Sequence, residues 1–268
     1  MRGLKRKLNN MALLVHKYGG TSVGSIERIQ TVADHIIKDK QRGYDVVAVV
    51  SAMGGETDRL IRLAKALQAK PEHREYATLV TTGEQVTAAL LAMALIQRGY
   101  MARSYSGCQT PIQTDNSYEM AEIMYIDTDV LRADLQKRVI PIVAGFQGMS
   151  EDGNMTTLGR GGSDSTAVAL AAVLQAEECR IYTDVDGVYT ADPRLNSQAK
   201  RLDCVSIQTM LEMAAKGAKV LQLRAVEIAH HYRVPLRVLS SFAEGEGTVI
   251  SYEDTLETSE AITSNGFI

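Results

Sequence analysis

Two short apolar runs with a helical stretch between them constrain this chain most. Leu13-Leu14-Val15 leads to Lys17, and the run Asp45–Val50 leads to Ser51. Between them Ile26, Ile29, Val32, Ala33 and Ile36 recur at the spacing of one helix face. Runs that apolar, without polar alternation, suit strands buried on both faces, as in a parallel sheet. The alternation continues. Leu60, Leu63, Ala64 and Leu67 share helical spacing, and residues 75–98 read as one longer helix. Arg138–Ala144 reads as another buried strand, with shorter ones at Ala102–Ser106, Ile112–Thr114 and Cys179–Thr183. Glu151–Asn154 is a hairpin turn signal. Ser206–Tyr232 is helical with a break at Gly217, and Pro235–Ser240 and Thr248–Ser251 close the sheet. The expected fold class is α/β, a three-layer αβα sandwich with a mostly parallel central sheet.

The chemistry concentrates in the turns that leave these strands. Lys17-Tyr-Gly-Gly-Thr-Ser-Val23 follows the first strand and opens a helix. Outward-facing N–H groups, the helix dipole and glycine's lack of a side chain make such a turn an anion site, and Lys17 adds a full charge. The plain alternative is a turn that only needs flexible residues. Thr157–Thr166 is a second Gly-rich turn, with Arg160 before it and Ser163 and Asp164 where helix N-cap side chains belong. Thr183–Arg194 packs carboxylates, hydroxyls, Tyr189 and an arginine into one loop; read alone, it is an ordered Asx-type turn. Glu84, in Thr82-Gly-Glu, is either a solvated helix residue or a carboxylate aimed into a cleft.

At these residues the chain resembles aspartate kinases of the amino acid kinase superfamily. Lys17–Val23, Ser51–Thr57, Gly159–Thr166 and Thr183–Arg194 carry the likeness, supported by Thr82–Glu84 and Lys219–Arg224, over roughly residues 12 to 250. The resemblance implies transfer of the ATP γ-phosphoryl group to the side-chain carboxylate of aspartate, the first step toward lysine, threonine and methionine. That nucleophile is already ionised at neutral pH, its solution pKa being about 3.9, so no general base is needed. Cations, backbone N–H groups and alignment would do the work.

Roles follow residue by residue from the resemblance. Lys17 would neutralise charge on the transferring group, with Asp164 orienting it or sharing contact with the substrate ammonium. Gly19 and Gly20 would cradle phosphates, and Lys219 would reach them from the other side. Arg160 would clamp the α-carboxylate of aspartate bidentately. Glu84 would accept the ammonium group. Ser51, Thr57, Phe146 and Ser163 would line the amino acid pocket, and Thr183, Asp184, Tyr189 and Arg194 the nucleotide side. Mg2+ would arrive with ATP, held by phosphates and water, so no protein metal ligand is assigned.

The basic start Arg2–Lys7 reads as a disordered leader at 1–11, and the resemblance implies a catalytic domain at 12–250 and a linker and tail at 251–268. The domain would comprise an N-terminal amino acid-binding lobe and a C-terminal nucleotide-binding lobe. Ala261–Ile268 resembles the first strand of an ACT regulatory domain, so loss of feedback by lysine or threonine is expected. A homodimer, with room for a separate regulatory ACT chain, is the expected assembly. The competing reading is a non-catalytic nucleotide- or amino acid-binding subunit.

Composition limits the remaining classes. Hydrophobic content of 45% and charged content of 23% suit a soluble globular chain, and a net charge of −3 gives no reason to expect nucleic-acid binding. Apolar runs are interrupted by charge, so no membrane span is expected. Cys108, Cys179 and Cys204 fit neither a disulfide frame nor zinc spacing, which points to reduced thiols and a cytoplasmic location.

Overall fold

The computed structural model describes residues 11–110, 112–193, 196 and 198–252. The basic leader, the ACT-like tail and Arg194 lie outside them.

β1 (Leu13–Tyr18) runs into α1 (Ile26–Gln41), which returns to β2 (Asp45–Val50), parallel to β1 with Val15 opposite Val47. α1 starts where Ser25 accepts a hydrogen bond from the Arg28 N–H. Its stripe Ile29, Val32, Ala33 and Ile36 is buried. α2 (Glu56–Leu67), α3 (His73–Val80) and α4 (Thr82–Gln97) follow, so the single helix expected over 75–98 is two helices meeting at Thr81. Next come β3 (Ala102–Tyr105), β4 (Ile112–Thr114), β5 (Ile123–Ile126), α5 (Asp129–Gln136) and β6 (Ile140–Ala144). The hairpin β7 (Gln147–Ser150) and β8 (Met155–Thr157) turns at the predicted place. α6 (Gly162–Leu174), β9 (Glu178–Thr183), β10 (Val188–Tyr189), β11 (Arg201–Leu202) and β12 (Cys204–Ser206) lead to α7 (Ile207–Ala215) and α8 (Leu223–Tyr232). β13 (Leu236–Ser240) and β14 (Thr248–Ser251) end the described chain.

Eight strands form one sheet in the order β12-β14-β13-β9-β1-β2-β6-β3, and all its pairs are parallel except β13 with β14. β1 is central, between β2 and β9. Its residues alternate between two cores. Val15 packs with Val47, Ile181 and the α6, α7 and α8 residues Leu170, Met210 and Val226. Tyr18 packs with Val46, Val50 and Tyr182 under Ile36 of α1 and Leu91 of α4. Helices on both faces make the expected three layers. A feature the sequence did not separate is a second sheet, β5-β4-β7-β8. Its strands are three or four residues long, too short to show a period.

The span His73–Gln97 is long and apolar enough to cross a bilayer by length and composition, although Glu84 interrupts its apolar run as the sequence reading expected. Half of its most apolar window is nevertheless buried in the domain, as in a core helix. The three cysteines are free, Cys108 exposed and Cys179 buried.

Candidate active site

Parallel pairing brings the C-terminal ends of β1, β2, β6 and β9 to one edge, where ligands bind in open α/β sheets. The turns leaving those ends carry Lys17–Gly20, Ser51–Thr57, Phe146 and Thr183–Tyr189. Two of the turns are in direct contact. A side chain at Gly20 would place its Cβ 2.9 Å from the Ala52 carbonyl oxygen, so only glycine lets the first turn lie on the second.

Lys17 Nζ lies 2.7 Å from Asp164 Oδ1, with the side chains 12% and 9% exposed. The contact is an ion pair by distance without hydrogen-bond alignment, and Lys17 has no other ionic partner among the described residues. Asp164 and Ser163 are not N-caps, contrary to the sequence expectation. The cap is Gly161, left-handed at φ +72, and no side chain bonds there. Both residues therefore sit in the first turn of α6. Asp164 is favoured there by the helix dipole and directed at Lys17.

Glu84 is buried, in the first turn of α4. Its Oε1 accepts from the Ala52 N–H at 3.1 Å, and its Oε2 has no partner. Burial pushes its carboxyl up to about 7, against the opposing pull of backbone N–H groups. The solvated alternative for this residue is thereby excluded.

Ser51 is half-buried on the β2–α2 turn and Thr57 half-buried in the first turn of α2, and the Ser51 N–H donates to Tyr18 O at 3.0 Å. Phe146 holds a left-handed conformation, φ +70, and its N–H donates to Thr166 Oγ1 at 3.2 Å. Its ring lies 3.1 Å from where a Gly162 Cβ would be, while Ser163 packs on Gly145. Phe146 and Ser163 thus meet at the start of α6. Arg160 is exposed just before it and has no partner among the described residues.

On the opposite side, Thr183 O accepts from the Ser241 N–H at 2.9 Å and from its hydroxyl at 3.0 Å. Ser22 Oγ donates to Ser241 Oγ at 2.8 Å, tying the β1–α1 turn to the end of β13. The sequence reading gave neither serine a role; hydroxyls 219 residues apart carry no local signal. Thr183 Oγ1 donates to the exposed Asp184, and the Tyr189 hydroxyl donates to Asp186 Oδ1 at 2.8 Å. Lys219 is exposed on the α7–α8 loop.

The other face of β1 carries a second charged cluster. His16 Nε2 is 3.3 Å from Asp39 Oδ2, and Arg180 is 2.7 Å from the same oxygen. Glu178 binds Arg180 at 2.6 Å and Arg237 at 2.8 Å. Burial alone would raise the Asp39 carboxyl, but His16 and Arg180 hold it well below the usual range. Burial also lowers His16, against the pull of Asp39. A cavity of about 320 Å³ opens beside this cluster, lined by Lys38, Arg42, Arg180, Arg237 and Glu244 among others. It shares no residue with the strand-end cleft, and its charges are largely paired among themselves.

Residues 12–240 match the amino acid kinase family model. An aspartokinase of Pseudomonas aeruginosa is 58% identical over 250 residues, 93% of this chain and 61% of that protein. The chain thus spans about three-fifths of the length of the curated relatives it matches. A crystal structure of aspartate kinase from Synechocystis superposes with a TM-score of 0.81 at 45% identity, covering 91% of this chain and 40% of that one. Aspartokinase III of E. coli, crystallised with aspartate and ADP, gives 0.80 at 28% identity, covering 90% and 65%.

Proposed function

The chain belongs to the amino acid kinase family, and from that premise we propose that it phosphorylates the side-chain carboxylate of aspartate with ATP, giving 4-phospho-aspartate. The observation that carries this reading is the composition of the cleft. Lys17 pairs with Asp164 beside a Gly-Gly turn, and Arg160 and Glu84 Oε2, which suit a carboxylate and an ammonium, are left without partners among the described residues. The aspartokinases it resembles support the same assignment.

The acceptor carboxylate is an anion attacking a polyanion, so the barrier is largely electrostatic. Lys17 supplies positive charge at the transferring phosphoryl group, and Asp164 holds its ammonium in direction. Gly19, Gly20 and Lys219 receive the ATP phosphates, and Thr183, Asp184, Tyr189 and Arg194 form the nucleotide side. Arg160 takes the α-carboxylate of aspartate. Glu84 takes its ammonium, which restores the charged carboxylate that burial disfavours. Ser51, Thr57, Phe146 and Ser163 close the amino acid pocket. Mg2+ enters with ATP as part of that substrate. The amino acid pocket belongs to the N-terminal lobe and the nucleotide side to the C-terminal lobe.

The test is a hydroxylamine trap. Purified protein with MgATP and aspartate should accumulate aspartyl hydroxamate in proportion to ADP released. ATP and aspartate binding without hydroxamate would instead support the non-catalytic subunit reading.

A further inference from the structure

Arg224 holds the Gly-rich turn of the acceptor pocket from behind. It is half-buried in the first turn of α8. Its guanidinium donates to Leu158 O at 3.3 Å and to Ala121 O at 2.9 Å. No carboxylate among the described residues pairs with it. A cation in the first turn of a helix opposes the helix dipole, so this placement does not serve α8 itself.

The two carbonyls sit at an informative place. Leu158 directly precedes Gly159-Arg160-Gly161, and its own N–H donates to Phe146 O at 2.9 Å. The Ala121 N–H donates to Thr157 O at 2.8 Å, and the Thr157 N–H to Tyr118 O at 2.7 Å. Arg224 therefore clamps the end of β8 to the irregular segment beside it, Tyr118–Ala121, at the last residue before the turn. Two residues earlier in the α8 approach, Gln222 lies across Gly161; a Cβ on that glycine would be 1.9 Å from Gln222 Cγ. The turn is gripped at both ends by one short segment.

Arg160 itself has no partner among the described residues, so only the backbone of this turn sets where its guanidinium points. We propose that Arg224 is a positioning residue for the acceptor: by fixing Leu158 and the turn after it, it aims Arg160 at the α-carboxylate. The inference rests on the reading of Arg160 as the α-carboxylate clamp. A hydrogen bond from a charged donor that merely stabilised the fold would cost stability when removed, and would not select between substrates.

The experiment compares Arg224→Ala and Arg224→Lys with the parent in the hydroxamate assay and by amide hydrogen exchange. Arg224→Ala should raise the KM for aspartate about tenfold or more, while kcat and the KM for ATP change less than about threefold. Arg224→Lys, which keeps one charged donor, should recover part of the loss. Exchange at Gly159–Ser163 should accelerate at least about tenfold in Arg224→Ala, with β1 unchanged. An unchanged KM for aspartate, or equal losses in kcat and both KM values, overturns the proposal. Should the parent make no hydroxamate, the functional reading fails. The exchange arm still decides whether Arg224 holds the turn, since protection equal to the parent's rejects that. Global loss of protection in the alanine variant shifts the decision to Arg224→Lys, read by the same two criteria.

Discussion

Adjacent residues of β1 send buried charge to opposite faces, and the two faces handle it differently. On the α1 side each charge is answered more than once. Asp39 meets His16, Arg180 and Arg42, and Glu178 meets Arg180 and Arg237. On the α6 side Lys17 meets Asp164 alone and Arg160 has no partner among the described residues, and at the same strand ends Glu84, on α4, leaves one oxygen unpaired. A buried polar atom without a partner costs about 1–3 kcal/mol. The carboxylates of the first cluster avoid that cost, each of their oxygens being paired, and only His16 Nε2, 3.3 Å from Asp39, lacks an aligned hydrogen bond there. The second accepts it, and the unspent capacity is what a zwitterionic substrate would use. Saturation suits a cluster that holds the fold; incompleteness suits one that awaits a ligand.

The largest expected effect is on turnover. Lys17→Ala should lower kcat by about 10⁴-fold, about 5 kcal/mol, while the protein still unfolds cooperatively. A kcat within about tenfold of the parent removes Lys17 from the main electrostatic role. Across the strand the signature should invert. Asp39→Ala leaves Arg180 short of a buried partner and should cost about 3–5 kcal/mol in urea unfolding, with kcat per folded molecule nearly unchanged. If Asp39→Ala instead abolishes turnover at little cost in stability, the division between the faces is wrong.

Glu84 sharpens the comparison through pH. Its folded carboxyl, at about 7, binds a proton more tightly than in the unfolded chain. That contribution to stability is full below the unfolded value, about 4.3, and is lost as pH rises through about 7. Glu84→Gln should therefore flatten this pH dependence and be more stable than the parent at pH 8, by about 1–3 kcal/mol. Its aspartate affinity should be weak, and should lack the parent's gain as pH rises through 7. Equal stability of the two proteins at pH 8 in urea titrations would contradict the unsatisfied state assigned to Glu84. The smallest effect belongs to the exposed clamp. Arg160→Lys keeps the charge but loses the planar two-point contact, so the KM for aspartate should rise about fivefold to tenfold and that for ATP stay put. A selective rise in the KM for ATP would reverse the assignment of sides.

The β1–α1–β2 unit was legible because its signals are local: an apolar run, a helical stripe, then a second run. The Gly-rich turns were legible for the same reason, and the structure gathers those leaving β1, β2 and β9 at one edge. Other features depend on neighbours that sequence does not reveal. Leu63 and Leu67 share the helical period of Leu60 and Ala64, yet are 48% and 89% exposed. The period fixes a helix, not which side has something to cover it. Ser163 and Asp164 looked like caps because their residue types suit caps, but the left-handed backbone at Gly161 starts the helix before them. The burial of Glu84 follows from the packing of α4 behind the β2–α2 turn, a contact between segments about 30 residues apart.

The central position of β1 also bears on how the chain reaches this state. β1 pairs with β2 after a short crossover, but its other neighbour, β9, comes roughly 160 residues later, Cys179 lying opposite Val15. At about 5–20 residues per second, a ribosome makes that partner on the order of 10–30 s after β1. Through that interval one edge of this central strand is without its partner, the condition under which nascent chains pair with the wrong edge or recruit chaperones. The strand that presents Lys17 is among the first made and among the last completed.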